Sequence, residues 1–99
     1  MSETVIELTV RNHPGVMSHI TGLFARRAYN LEGILCGALP GGEHSRMYLL
    51  VTADQRLGLV MRNLEKLYDV LDVRLRDDCD GSAFAHLDEL VAASSRRAA

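Results

Sequence analysis

The residues best placed to do chemistry are Asn12-His13-Pro14-Gly15-Val16, which stand between an alternating strand and an amphipathic helix. A Pro-Gly passage from strand to helix leaves backbone N–H groups unpaired, and these coincide with the positive end of the helix dipole, so the place attracts anions. Pro14 suits the first helical position, where its missing N–H costs nothing. Gly15 admits a ligand close to the backbone, and the Asn12 amide can bond an amine or a carboxylate. An ordinary helix start that binds only water has the same local sequence. His13 lies inside the loop and reads equally as a solvent-facing histidine.

Other candidates carry less. His13, His19, His44 and His86 show no i,i+4 pair and no cysteine companion, so no metal site is expected. Counting Asp78 as the first position of a calcium loop puts Glu89 at the twelfth but Ala83 at the sixth, where the sharp turn needs glycine. There is no nucleophile elbow and no Walker loop, and nothing nominates a nucleophile or an acid–base pair.

The elements that position the loop follow from periodicity. Ile6, Leu8 and Val10 alternate with Val5, Glu7 and Thr9 in a first strand. Val16, Ile20, Leu23, Phe24 and Ala28 then form one helical stripe, closed by Tyr29-Asn30 with Asn30 in the left-handed cap. Leu31 to Leu39 reads as a second strand, Pro40 to His44 as a loop, and Arg46 to Thr52 as a third strand with Met47, Leu49 and Val51 on one face. Leu57, Val60, Met61, Leu64, Leu67 and Tyr68 form a second stripe behind Asp54 as N-cap. Val70 to Arg76 is the last strand, with Leu71, Val73 and Leu75 alternating against Asp72, Arg74 and Arg76. Strand, helix, strand, strand, helix, strand predicts an α+β, ferredoxin-like βαββαβ fold: a four-stranded antiparallel sheet with both helices on one face. Val5, Tyr48 and Leu50 fall on the open face, which favours pairing with a second copy or another protein. Residues 1–77 are read as one domain and 78–99 as linker and tail, in which Ala83, Leu87, Leu90 and Val91 fit a short docking helix or a mobile tail.

Size and composition narrow the field. The chain has 99 residues, 47% hydrophobic, with net charge −2, enough for one domain that buries roughly 60–65% of its unfolded surface. The near-balanced charge argues against nucleic-acid binding, and no apolar run reaches membrane-spanning length. Cys36 and Cys79 belong to no CxxC, so two inert thiols in a reducing compartment are expected, and Met1 to Thr4 show no signal-like stretch, so the cytoplasm is expected. An RNA-recognition module would need a basic, aromatic sheet, yet Tyr48 is the lone aromatic of the candidate strands. An acylphosphatase-type enzyme would need more than Arg11 and Asn12 in its phosphate loop.

The runs Glu7 to Met17 and Gly22 to Ile34 resemble the small regulatory subunit of acetohydroxyacid (acetolactate) synthase, a family of ACT domains. The signature is Asn12-x-Pro14-Gly15-Val16, then Gly22-Leu23-Phe24 and Arg27-x-Tyr29-Asn30-Leu31-Glu32. Leu35-Cys36 and the short chain resemble the compact single-domain form of isozyme I. Asp54 to Leu57 and Lys66 to Val70 match more loosely, the resemblance covers residues 4 to 77, and the tail from Asp78 departs from it.

The resemblance implies a non-catalytic subunit that binds no cofactor itself and activates a larger catalytic subunit holding thiamine diphosphate, FAD and Mg²⁺. It implies feedback inhibition by branched-chain amino acids, usually valine, bound at a homodimer interface. The family's effector loop falls on Asn12, Gly15 and Val16, and its partner-side asparagine on Asn30. His13 and Pro14 share the loop, and Met17 and Ile34 are the apolar candidates to clasp a branched side chain. A generic amino-acid-sensing ACT module of another enzyme is the alternative. Amides near Gly15 and Val16 suit a carboxylate, and the Asn12 oxygen suits an ammonium. One methylene changes affinity by only about 1–3 kcal/mol, so valine, leucine and isoleucine are not separated.

Overall fold

The computed structural model describes residues 3–76. They form β1 (Glu3–Arg11), α1 (Val16–Arg26), β2 (Leu31–Ala38), β3 (His44–Thr52), α2 (Leu57–Glu65) and β4 (Val70–Arg76). The strands make one antiparallel sheet in the order β2-β3-β1-β4, the ferredoxin-like arrangement. The alternation of β1 and β3 sets their register: Ile6 pairs with Leu49 and Leu8 with Met47, so both strands turn the same apolar face inward. Ile20, Leu23 and Phe24 from α1 and Val60 and Leu64 from α2 join Ile6, Leu8, Val10, Met47, Leu49 and Val51 in a single core. Both helices therefore cover the same sheet face. Each fully buried Ile, Leu or Met contributes about 1.5–3 kcal/mol of transfer free energy.

On the sheet face turned away from α1 and α2, Val5 is only 2% exposed, with Tyr48 and Leu50 half-buried. Glu7 on that face is buried but paired: Arg76 Nη1 donates to its Oε1 at 2.6 Å, and Arg46 Nη1 stands 3.7 Å away.

Several local expectations are corrected. Pro14 is not the first helical residue, because Gly15 takes the N-cap position with φ +92° and α1 begins at Val16. The helix ends at Arg26, and Ala28, not Asn30, holds the left-handed cap at φ 51°. The Tyr29 N–H bonds the Phe24 carbonyl at 3.0 Å and the Ala28 N–H that of Ala25 at 3.2 Å, a Schellman closure. Its apolar contact is the Phe24–Tyr29 ring pair, edge-on with centroids 6.0 Å apart. Ala28 is thus exposed rather than part of the stripe. Asp54 lies two residues before the N-cap Arg56, yet its Oδ1 accepts the Arg56 N–H at 2.7 Å.

Tyr68 falls beyond α2 and is 80% exposed. In β4 the register slips opposite Thr9 and Val10, so Val10 pairs with Val70, and Leu71 is left 42% exposed. β3 starts at His44, two residues early, because the Leu39 N–H bonds the His44 carbonyl at 2.9 Å and extends the hairpin. Cys36 is an exposed free thiol. The expectations for Cys79, His86, the acidic run and the 78–99 tail lie outside the described residues. No described helix is long and apolar enough to cross a membrane.

Candidate functional site

The loop between β1 and α1 is shaped by Pro14 and Gly15. The Val16 N–H turns back to the His13 carbonyl at 3.4 Å, which closes a four-residue turn with Gly15 third. That position requires positive φ, which glycine adopts without a Cβ penalty. The chain then enters α1 with the His19 N–H on the Gly15 carbonyl at 3.0 Å and with no side-chain cap. Among the described residues no protein acceptor faces the N–H groups of Gly15, Met17 or Ser18. Those are uncapped donors at the positive pole of the helix.

Asn12 is anchored from the opposite side of the sheet end. Its backbone N–H donates to the Glu43 carbonyl at 3.0 Å and its Nδ2 to the Gly42 carbonyl at 2.8 Å. The β2–β3 loop can offer those carbonyls because Gly41 and Gly42 both take positive φ. With Nδ2 committed, the Asn12 Oδ1 remains as an acceptor pointing away from that bond, the polarity an ammonium group needs.

His13 faces the other way, toward the segment between α2 and β4. Its Nδ1 meets the Pro14 carbonyl at 2.6 Å, and its Nε2 meets Asp69 Oδ1 in a short hydrogen bond. His19 Nδ1 takes the other Asp69 oxygen at 2.8 Å. Asp69 is 3% exposed, and its backbone carbonyl accepts the Arg11 N–H at 2.8 Å. The hydrogen bond to Asp69 raises His13 above the ordinary 6.5. The bonds from His13 and His19 hold the Asp69 carboxyl below its ordinary 3.8. Beside them the Arg11 guanidinium stacks 4.7 Å from the Tyr68 ring centroid. His13, His19, Leu67, Tyr68 and Asp69 line a shallow cleft. No Ser, Thr or Cys is among them, so the histidine–aspartate pair has no nucleophile to activate. Among the described residues no three His, Cys, Asp or Glu side chains are set to hold a metal ion.

The expected site residues divide in space. Asn12, His13, Pro14 and Gly15 are exposed together in the loop, and Met17 is 38% exposed on the first turn. Val16 turns its side chain into the core, and its backbone N–H is taken by the His13 carbonyl. Asn30 and Ile34 are elsewhere. Ile34 is half-buried and packs against the core beside Leu49. Asn30 is exposed, with its Nδ2 on Glu32 Oε1 at 2.5 Å, just before Leu31 pairs with Val51. Arg11 pairs with His44 at the other end of β3. From His44 to Val51 a strand runs roughly 23 Å, so Asn12 and Asn30 of one chain do not meet around one small ligand.

Sequence reasoning missed Asp69, His19, Tyr68 and the Gly42–Glu43 carbonyls. The one signal for Asp69 was a carboxylate between the apolar Leu67 and Val70. It carried no hint of partners fifty or more residues away.

The pattern that defines the AHAS small subunit-like ACT domain matches residues 6–72. The acetolactate synthase isozyme 1 small subunit of Escherichia coli is 51% identical over 80 residues, which are 81% of this chain and 82% of that protein. The acetolactate synthase small subunit of Mycobacterium bovis is 34% identical over 74 residues, 74% of this chain and 44% of that one. The crystal structure of the acetolactate synthase small subunit from Thermotoga maritima superposes with a TM-score of 0.69 at 30% identity. It is covered by 76% of this chain, which spans 47% of its length.

Proposed function

The chain belongs to the family of AHAS small subunit-like ACT domains, and from that premise we propose that it is the non-catalytic regulatory subunit of acetohydroxyacid synthase. It binds the large catalytic subunit in the cytoplasm, raises its activity and confers inhibition by a branched-chain amino acid, valine first among them. The thiamine diphosphate, FAD and Mg²⁺ of the reaction belong to the large subunit. The observation that carries the effector role is the Asn12–Val16 loop: uncapped amides at the start of α1 beside a side-chain acceptor on Asn12. An α-amino acid brings a carboxylate to the first and an ammonium to the second. The acid group and the amine are thus read by different atoms of one loop.

Asn30 enters from a second copy. β2 is an edge strand, and antiparallel pairing of two such edges about a twofold axis carries Asn30 of one copy toward the strand end that holds Asn12 of the other. Effector binding across that junction favours the paired state, and its coupling to the catalytic subunit is reciprocal.

The test mixes the purified full chain with a thiamine-dependent large subunit. Acetolactate formation is expected to rise on mixing, to fall again with valine, and to be absent from the full chain alone. A large subunit whose rate and valine response ignore the added chain would overturn the reading.

A further inference from the structure

Both ring nitrogens of His13 face acceptors: the Pro14 carbonyl oxygen at 2.6 Å and the buried Asp69 carboxylate. A neutral imidazole carries one N–H and can serve only one of them, so the imidazolium alone satisfies both contacts. Asp69 cannot drift to relieve the contact. Its second oxygen holds His19 at 2.8 Å and its carbonyl holds the Arg11 N–H at 2.8 Å. We propose that Asp69 is a positioning residue for the effector loop, holding His13 as a cation so that the His13–Gly15 turn and its positive field stay fixed where an amino-acid carboxylate arrives. The proposal deepens the effector reading above and rests on it.

The groups around His13 come from each neighbouring element. Arg11 on β1 opposes its charge, Asp69 favours it, His19 on α1 shares the carboxylate, and Tyr68 carries the stacked Arg11 guanidinium. When His13 loses its proton, one ring nitrogen becomes a lone pair directed at an acceptor oxygen. The turn then loses one of its two ties and the loop the positive charge of its own histidine. Effector affinity should therefore fall as the medium becomes alkaline.

The experiment measures L-valine binding by the full chain calorimetrically at about pH 6 and about pH 8.5, with imidazole ¹⁵N NMR of His13 on the same samples. Wild type is compared with Asp69→Asn, His13→Gln and, as control, His19→Gln. Wild-type His13 should remain doubly protonated above pH 6.5, and valine affinity should drop roughly threefold or more between the two conditions. Asp69→Asn should move the His13 titration, and the fall in affinity with it, to lower pH, His13→Gln should remove the pH dependence, and His19→Gln should keep it. Equal wild-type affinity at both conditions, a pH dependence that survives His13→Gln, or a His13 titration that Asp69→Asn does not move, overturns the positioning role and leaves the effector reading standing. Absence of valine binding by every protein in every condition overturns the effector reading, and the positioning role with it.

Discussion

Asn12 and Asn30 stand at opposite ends of the sheet, Asn12 following Arg11 where it pairs with His44, and Asn30 preceding Leu31 where it pairs with Val51. A ligand the size of valine cannot bridge the strand length between them. If both touch the effector, they come from different chains.

Subunit complementation follows. Asn12→Ala and Asn30→Ala homodimers should each bind valine weakly. Random mixing makes half of the dimers mixed, and each mixed dimer rebuilds one of its two sites, so about a quarter of wild-type sites should return. Calorimetric stoichiometry before and after mixing reads this directly. No recovery on mixing would remove Asn30 from the effector site.

Gly15 holds φ +92° at the N-cap, and a Cβ there would meet nothing within 4 Å. The cost of Gly15→Ala is therefore conformational, about 1–2 kcal/mol in urea unfolding. Gly15→Asp tolerates the left-handed conformation better but sets a negative charge at the uncapped amides. Its valine affinity should fall further than that of Gly15→Ala, although its stability loss is smaller.

Ala28 occupies the left-handed cap of α1 at φ 51°, a conformation that penalises any Cβ. Ala28→Gly should stabilise the protein by about 1 kcal/mol, raising Tm by roughly 4–8 °C, with no change in valine affinity. Calorimetric melting checks it. An unchanged or lower Tm would show that the cap conformation is not strained.

The stability of the clamp between His13 and Asp69 should depend on pH in a defined window. His13 is raised by its bond to Asp69, so its contribution is complete below 6.5 and is lost as pH climbs through the raised value. Asp69 is lowered by its bonds to His13 and His19, so its contribution is complete above 3.8 and is lost as pH falls through the lowered value. Urea midpoints should be highest between those bounds. His13→Gln should flatten the alkaline limb and weaken the acid limb, which His19 then supports alone, and Asp69→Asn should flatten both.

Much of this protein was legible in its residues. The alternation of Ile6, Leu8 and Val10, the stripe of Val16, Ile20, Leu23 and Phe24, and the order of elements predict the sheet, its helices and the placement of the Asn12–Val16 loop, because side-chain period is a local property. The Asn-x-Pro-Gly-Val signature likewise led to the family. Cap positions were misjudged by one or two residues, at Pro14 and at Ala28, where hydrogen bonds closing over three to five residues overrule residue preference.

The fold alone decided which atoms meet. The carboxylate of Asp69 receives histidines fifty and fifty-six positions away, Asn12 finds its carbonyls in the β2–β3 loop, and Asn30 ends up a sheet's length from the loop of its own chain. Periodicity says which way a side chain faces on its own strand or helix. Contact between distant segments depends on sheet order and register, and these arise only when the core of all six elements packs together.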